Sequence, residues 1–90
     1  MTKLPIELGS VVVSKAGRDE GRMFLVVESL DDEYVLIADG ETHKMIRPKK
    51  KKRKHLKQVF EPELEIVERL KAVPAIEDHE VRKWLSHKEE

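Results

Sequence analysis

Ninety residues give room for one compact unit with a modest core, because so short a chain keeps much of its surface wet after folding. Aromatics are only 4% of the residues, so the core must be aliphatic, and the absence of cysteine excludes disulfides, thiolate metal sites and thiol nucleophiles. The formal net charge of zero hides segregation: residues 1–43 carry 4 basic and 9 acidic side chains, 44–58 carry 9 and none, and 59–90 carry 5 and 9, so overall neutrality does not exclude a polyanionic partner.

The N-terminal MTKLPIELGS lacks the apolar run of a signal peptide, and nowhere do about 18 consecutive apolar residues occur, so a soluble, cytoplasmic protein is expected. Residues 9–14 (GSVVVS) read as a first strand, followed by the glycine-punctuated turn KAGRDEGR. Residues 23–28 (MFLVVE) are too short and valine-rich for a helix and read as a second strand, closed by the turn SLDDE. A third strand, YVLIA at 34–38, runs into Asp39-Gly40, a dipeptide suited to a tight reversal, so residues 42–47 (THKMIR) are expected as its hairpin partner. Pro48 lacks a backbone donor and opens the lysine run, and residues 55–60 supply a fifth strand. Five short strands with closely spaced turns predict a mainly β fold, a small barrel that closes to remove its edges.

After Phe60 the period changes. Pro62 suits a first helical position, Leu64, Val67 and Leu70 recur at helical spacing, and Pro74 ends that segment. Asp78 is expected to cap a last helix with Val81, Trp84 and Leu85 on one face, fraying over 86–90. The division is therefore a barrel over 1–60, including the basic segment 47–57, and a helical extension over 61–90.

The segment VVVSKAGRDEGRMFLVV resembles a KOW motif, in which alternating hydrophobic residues precede a glycine about ten positions on, here Gly21 counted from Val11. With the following IRPKKKKRKHLK, the chain is similar over residues 6–60 to bacterial KOW-domain RNA-binding proteins related to the ribosomal protein family called L-fourteen-e. The resemblance implies an SH3-like barrel that binds RNA, usually ribosomal RNA, through the turn and nearby basic residues. By matching positions, Lys15, Gly17, Arg18, Asp19, Gly21 and Arg22 fall in the turn, and residues 47–56 match the family's proline and lysine segment.

The residues themselves suggest a division of labour. Lys44, Lys49, Lys50, Lys51, Lys52, Lys54 and Lys57 are flexible point charges suited to phosphate, whereas Arg18, Arg22, Arg47 and Arg53 can also contact phosphate or guanine in a bidentate way. Lys15, Gly17 and Gly21 shape the rim that a nucleic-acid backbone approaches, and His55 either stacks on a base or is an ordinary strand residue. A lysine run is often only a solvated surface; eight cations over 47–57 without one carboxylate favour a polyanion. Asp19 and Glu20 are expected to satisfy turn amides or to pair with Arg18 and Arg22. Both phenylalanines are expected in the core, and Tyr34 stays outside the site because Asp31, Asp32 and Glu33 would repel a phosphate backbone.

Trp84 anchors its helix either on the barrel or on a partner. The histidines form no HExxH pattern, and residues 17–22 lack the spacing GxxxxGK[ST], so neither a metal, a cofactor nor an enzyme activity is expected. The expected partners are RNA, chiefly ribosomal RNA, and the ribosome or a transcription or translation protein. The rival reading is a protein-interaction module of the NusG-like KOW type.

Overall fold

Two runs of consecutive apolar residues, 11–13 and 23–27, lie at the centre of the fold because both of their faces are covered. The computed structural model describes residues 6–89. Strands β1 (Val11–Ser14), β2 (Met23–Ser29), β3 (Tyr34–Ala38), β4 (Lys49–Lys52) and β5 (Leu56–Phe60) form one antiparallel sheet in the order β4-β3-β2-β1-β5. A 3-10 turn, Arg53–His55, carries the chain from β4 to β5, so the two ends of the sheet are joined directly. With helices α1 (Leu64–Lys71) and α2 (Asp78–Glu89) following, the fold is mainly β and consistent with a small SH3-like barrel.

Side chains alternate across a strand, so the two faces can be read from neighbouring residues. Val12, Phe24, Val26, Val35, Ile37 and Leu56 join Ile6 in the cluster inside the curled sheet. Val11 and Leu25 point the other way, into a second cluster with Ile66 of α1, Ile76, and Val81 and Leu85 of α2. A bulge in β2 leaves Val27 between Val26, opposite Ile37, and Glu28, opposite Leu36. The extra residue strengthens the local twist and helps the sheet bend around the inner cluster.

The helices thus roof the outer face of β1 and β2. Trp84 packs against the second cluster, with the Lys88 ammonium 4.7 Å from its ring centre, while its buried Nε1 has no acceptor among the described residues. Arg69 of α1 donates to both oxygens of Glu80 at 2.7 Å, tying the helices together. None of the described helices is long and apolar enough to cross a membrane.

Several expectations need correction. Residues 42–47 are a loop, and the strand beside β3 is the lysine run itself, with Tyr34 opposite Lys52 and Ile37 opposite Lys49. Donors that a strand over 42–47 would need are already used: Asp39 Oδ1 accepts from the backbone of Glu41 and His43 at 2.9 Å, and Asp78 Oδ1 accepts from Met45 at 2.8 Å. Asp78 therefore fixes that loop and does not cap its own helix; Glu80 instead reaches back to the Glu77 amide at 2.9 Å. Pro62 lies before the first helical turn, whose N-cap is Glu63. The last helix continues through Glu89, and Glu90 lies outside the described residues. Phe24 is fully buried, but Phe60 is 38% exposed, because it ends β5, an outer strand, where the Lys88 ammonium lies 5.2 Å from its ring centre.

Candidate nucleic-acid interface

Placing lysines on an outer strand is physically reasonable, since charge there discourages edge-to-edge pairing while the strand still donates to β3. The two-residue period divides them. Lys49 and Lys51 project on the side of Ile37 and Val35 and reach across to the turn between β1 and β2. Lys49 Nζ lies 3.3 Å from Asp19 Oδ2, and Lys51 Nζ donates to the Ala16 carbonyl at 3.3 Å. Lys50 and Lys52 project on the other side, their ammonium groups 4.5 and 6.0 Å from the centre of the Tyr34 ring. The first distance is a cation–π contact, worth about 0.5–1 kcal/mol at an exposed site.

The turn is built to receive these lysines. Gly17 and Gly21 have φ of 80° and 87°, which side chains with a Cβ rarely adopt. Gly21 donates its amide to the Ser14 carbonyl at 2.9 Å, and the Arg22 amide donates to Asp19 O at 2.9 Å. Asp19 does not pair with Arg18 or Arg22. Its nearly covered carboxylate takes His43 Nε2 at 3.1 Å and Lys49 at 3.3 Å, while Arg22 lies 3.5 Å from Asp39. The sequence hid this because His43 is 24 residues away and enters only through the folded loop.

Burial acts against the charged form of Asp19, but the hydrogen bonds and charges of His43 and Lys49 outweigh it and hold its pKa below the usual carboxylate value. A depressed folded-state pKa contributes stability that is present above the unfolded value near 3.8 and disappears as pH falls through the folded value. Asp19→Asn should therefore lower the melting temperature at neutral pH, by the equivalent of about 1–3 kcal/mol for a broken buried pair. Its deficit relative to the parent should shrink below pH 3.8, as seen in thermal melts over an acid series.

The structure also draws the turn and the basic run together. Lys15 donates its amide to the His55 carbonyl at 2.8 Å. Desolvation first, and then the fields of Lys54, Lys51, Lys52 and Lys15, push the His55 imidazole below its ordinary pKa. This concentration of positive charge is what phosphate would relieve. Lys57 extends the surface along β5, opposite Val13, and the exposed Lys44 and Arg47 extend it beyond β4 on the loop 39–48.

Two arginines stand apart from that surface. Arg22 lines a hollow of about 350 Å³ with Asp39, Arg82 and Glu89, on the α2 side of the turn. Arg53 is a structural latch: its guanidinium donates to the Asp31 carbonyl at 3.0 Å, to Ser29 Oγ at 2.6 Å and to the Ile6 carbonyl. Its backbone amide donates to Glu33 O at 2.8 Å. Among the described residues, the close ion pairs involve Arg22, His43, Lys49, Arg69, His79 and Lys88, whereas Lys50 acts on Asp31 only through its field. The basic surface is therefore broader than the lysine run, and within it Lys49, Arg22 and Arg53 also make contacts inside the fold.

No protein-family model matches the chain. It is similar to large ribosomal subunit protein eL14 of Desulfurococcus amylolyticus, with 35% identity over 51 residues, which make up 57% of this chain and 53% of that protein. The chain thus spans about half the length of the relative it matches. This partial likeness supports a ribosomal-protein-like family.

Proposed function

We propose that the chain is an RNA-binding protein of the KOW type with a ribosome-associated role, contacting ribosomal or other structured RNA across the surface from Lys15 to Lys57. The observation that carries this reading is the gathering of Lys15, Lys51, Lys52 and Lys54 around His55, with further cations on either side. The likeness to a large-subunit ribosomal protein agrees with it.

The barrel supplies placement and the cations supply attraction. Lys49 and Lys51 hold the β1–β2 turn against the sheet, so that Lys15, Gly17 and Arg18 present a fixed rim to the RNA backbone. Lys44, Arg47, Lys50, Lys52, Lys54 and Lys57 then contact phosphate. Lysine discriminates poorly among bases, so preference follows RNA shape, read through the rim and through Arg18. Arg22, held beside Asp39, and Arg53, bonded internally, act by fixing geometry.

The test is binding to ribosomal RNA fragments across a salt series. With about six phosphates of a single strand neutralised, log affinity should fall against log salt with slope roughly −4, from about −0.7 per contact. A slope near zero, or no complex at low salt, would overturn the RNA reading in favour of a protein-interaction module.

A further inference from the structure

Tyr34 is the single tyrosine of the chain and lies at the start of β3, opposite Lys52, partly buried. We propose that Tyr34, flanked by Lys50 and Lys52, is a stacking platform for one unpaired base of a single-stranded RNA segment. This inference rests on the RNA-binding reading and adds to it a site that distinguishes unpaired from paired RNA.

Three observations support it. The backbone that carries the ring is fixed: Asp31 Oδ1 accepts from the Tyr34 amide at 2.7 Å and from the Glu33 amide at 2.8 Å, forming a turn that sets where β3 begins. The group over the ring is an ammonium 4.5 Å from its centre, on a flexible side chain whose charge is felt by the Asp31 carboxylate. Such a contact is the weaker of two that the ring can make, because a base stacked on an aromatic side chain contributes more than an exposed cation does. The displaced Lys50 ammonium need move only to the phosphate of the incoming nucleotide, so its charge stays compensated.

The acidic turn beside Tyr34 then gives the site a direction. Asp31 keeps its charge, since the amides of Glu33 and Tyr34 hold its pKa below the usual value. Its charge disfavours phosphate at the turn, while the Lys50 and Lys52 ammonium groups, 4.5 and 6.0 Å from the ring centre, attract phosphate along β4. A strand therefore enters with its backbone along β4 and its base over Tyr34. A duplex cannot offer a free base face, so it would bind through the lysines alone.

The experiment compares an oligouridine of about ten nucleotides with an RNA duplex of similar length, using the full chain and its Tyr34→Leu and Tyr34→Phe variants. Tyr34→Leu should weaken oligouridine binding by about 5- to 150-fold and leave duplex binding unchanged, while Tyr34→Phe binds both as the parent does. Independently of either variant's stability, the Tyr34 ring protons of the parent should move upfield when oligouridine is added. Equal losses on both RNAs, no loss on either, or no ring shift would overturn the platform while salt-dependent binding by the parent leaves the wider reading intact. If the parent binds neither RNA, both proposals fall.

Discussion

Replacing Lys50, Lys52 and Lys54 together by glutamine should weaken binding to every RNA by about 100-fold near 0.1 M salt and make the salt slope shallower by about 2. Each phosphate contact with a single strand contributes about 0.7 to the slope, hence about fivefold at tenfold dilution from 1 M salt; three contacts multiply. These positions suit the test because their side chains, unlike those of Lys49 and Arg53, do not hold the β1–β2 turn or the start of β5 in place. The same substitution at Lys49 would release Asp19, and at Arg53 it would undo the latch to Asp31 and Ser29, mixing stability with affinity. Titration of labelled RNA at several salt concentrations reads both quantities. An unchanged slope would mean that these lysines face solvent in the complex.

Gly40→Ala should be the most damaging small substitution in the fold. Gly40 has φ of 78°, and a Cβ there would lie 2.4 Å from the Asp78 carbonyl oxygen and 2.9 Å from Arg82 Cγ. Backbone cannot yield as a side-chain tip can, so the start of α2 must move away. That movement strains the bond from Arg82 to the Gly40 carbonyl, 2.7 Å long, and the anchor of Met45 on Asp78. Left-handed strain of about 1–2 kcal/mol adds to the lost helix docking, giving about 3 kcal/mol or more, a large share of a small domain's stability. Urea denaturation followed through Trp84 should show a lower midpoint and a red-shifted native emission as α2 lifts. RNA affinity should fall less than in the triple lysine variant, because Lys50 and Lys52 are held by β3 rather than by α2. A native emission and midpoint equal to the parent's would refute the close packing of Gly40 on α2.

Strands β1, β2 and β3 were legible because unbroken apolar runs bounded by glycine and acidic turns have few other uses in a chain this short. The helices were legible from Leu64, Val67 and Leu70 and from Val81, Trp84 and Leu85, whose spacing follows the period of a helix, although in the first it is Ile66 that is buried while Leu64 is 74% exposed. The fourth strand was not, since strand propensity argues against four successive lysines. What makes them a strand is the free edge of β3 together with the loop before them, whose amides are taken by Asp39 and Asp78. Once the lysines alternate across a sheet, half of them face the β1–β2 turn and half face Tyr34. Neither relation is visible along the chain. A reading that had paired 49–52 with 34–37 would have set Tyr34 opposite Lys52, beside the basic run.

The sequence by itself determined the quantity of positive charge, its concentration within 44–58, the aliphatic core and the mainly β character, all of which follow from local composition and periodicity. Only the tertiary structure decided which cations remain available. Asp19, Ala16 O, Asp39 and the carbonyls beside Arg53 lie far along the chain from the groups they bind, and such pairings exist only after the strands have assembled. The lysine run is thus an edge strand with two faces, because backbone hydrogen bonding to β3 fixes the direction of each successive side chain.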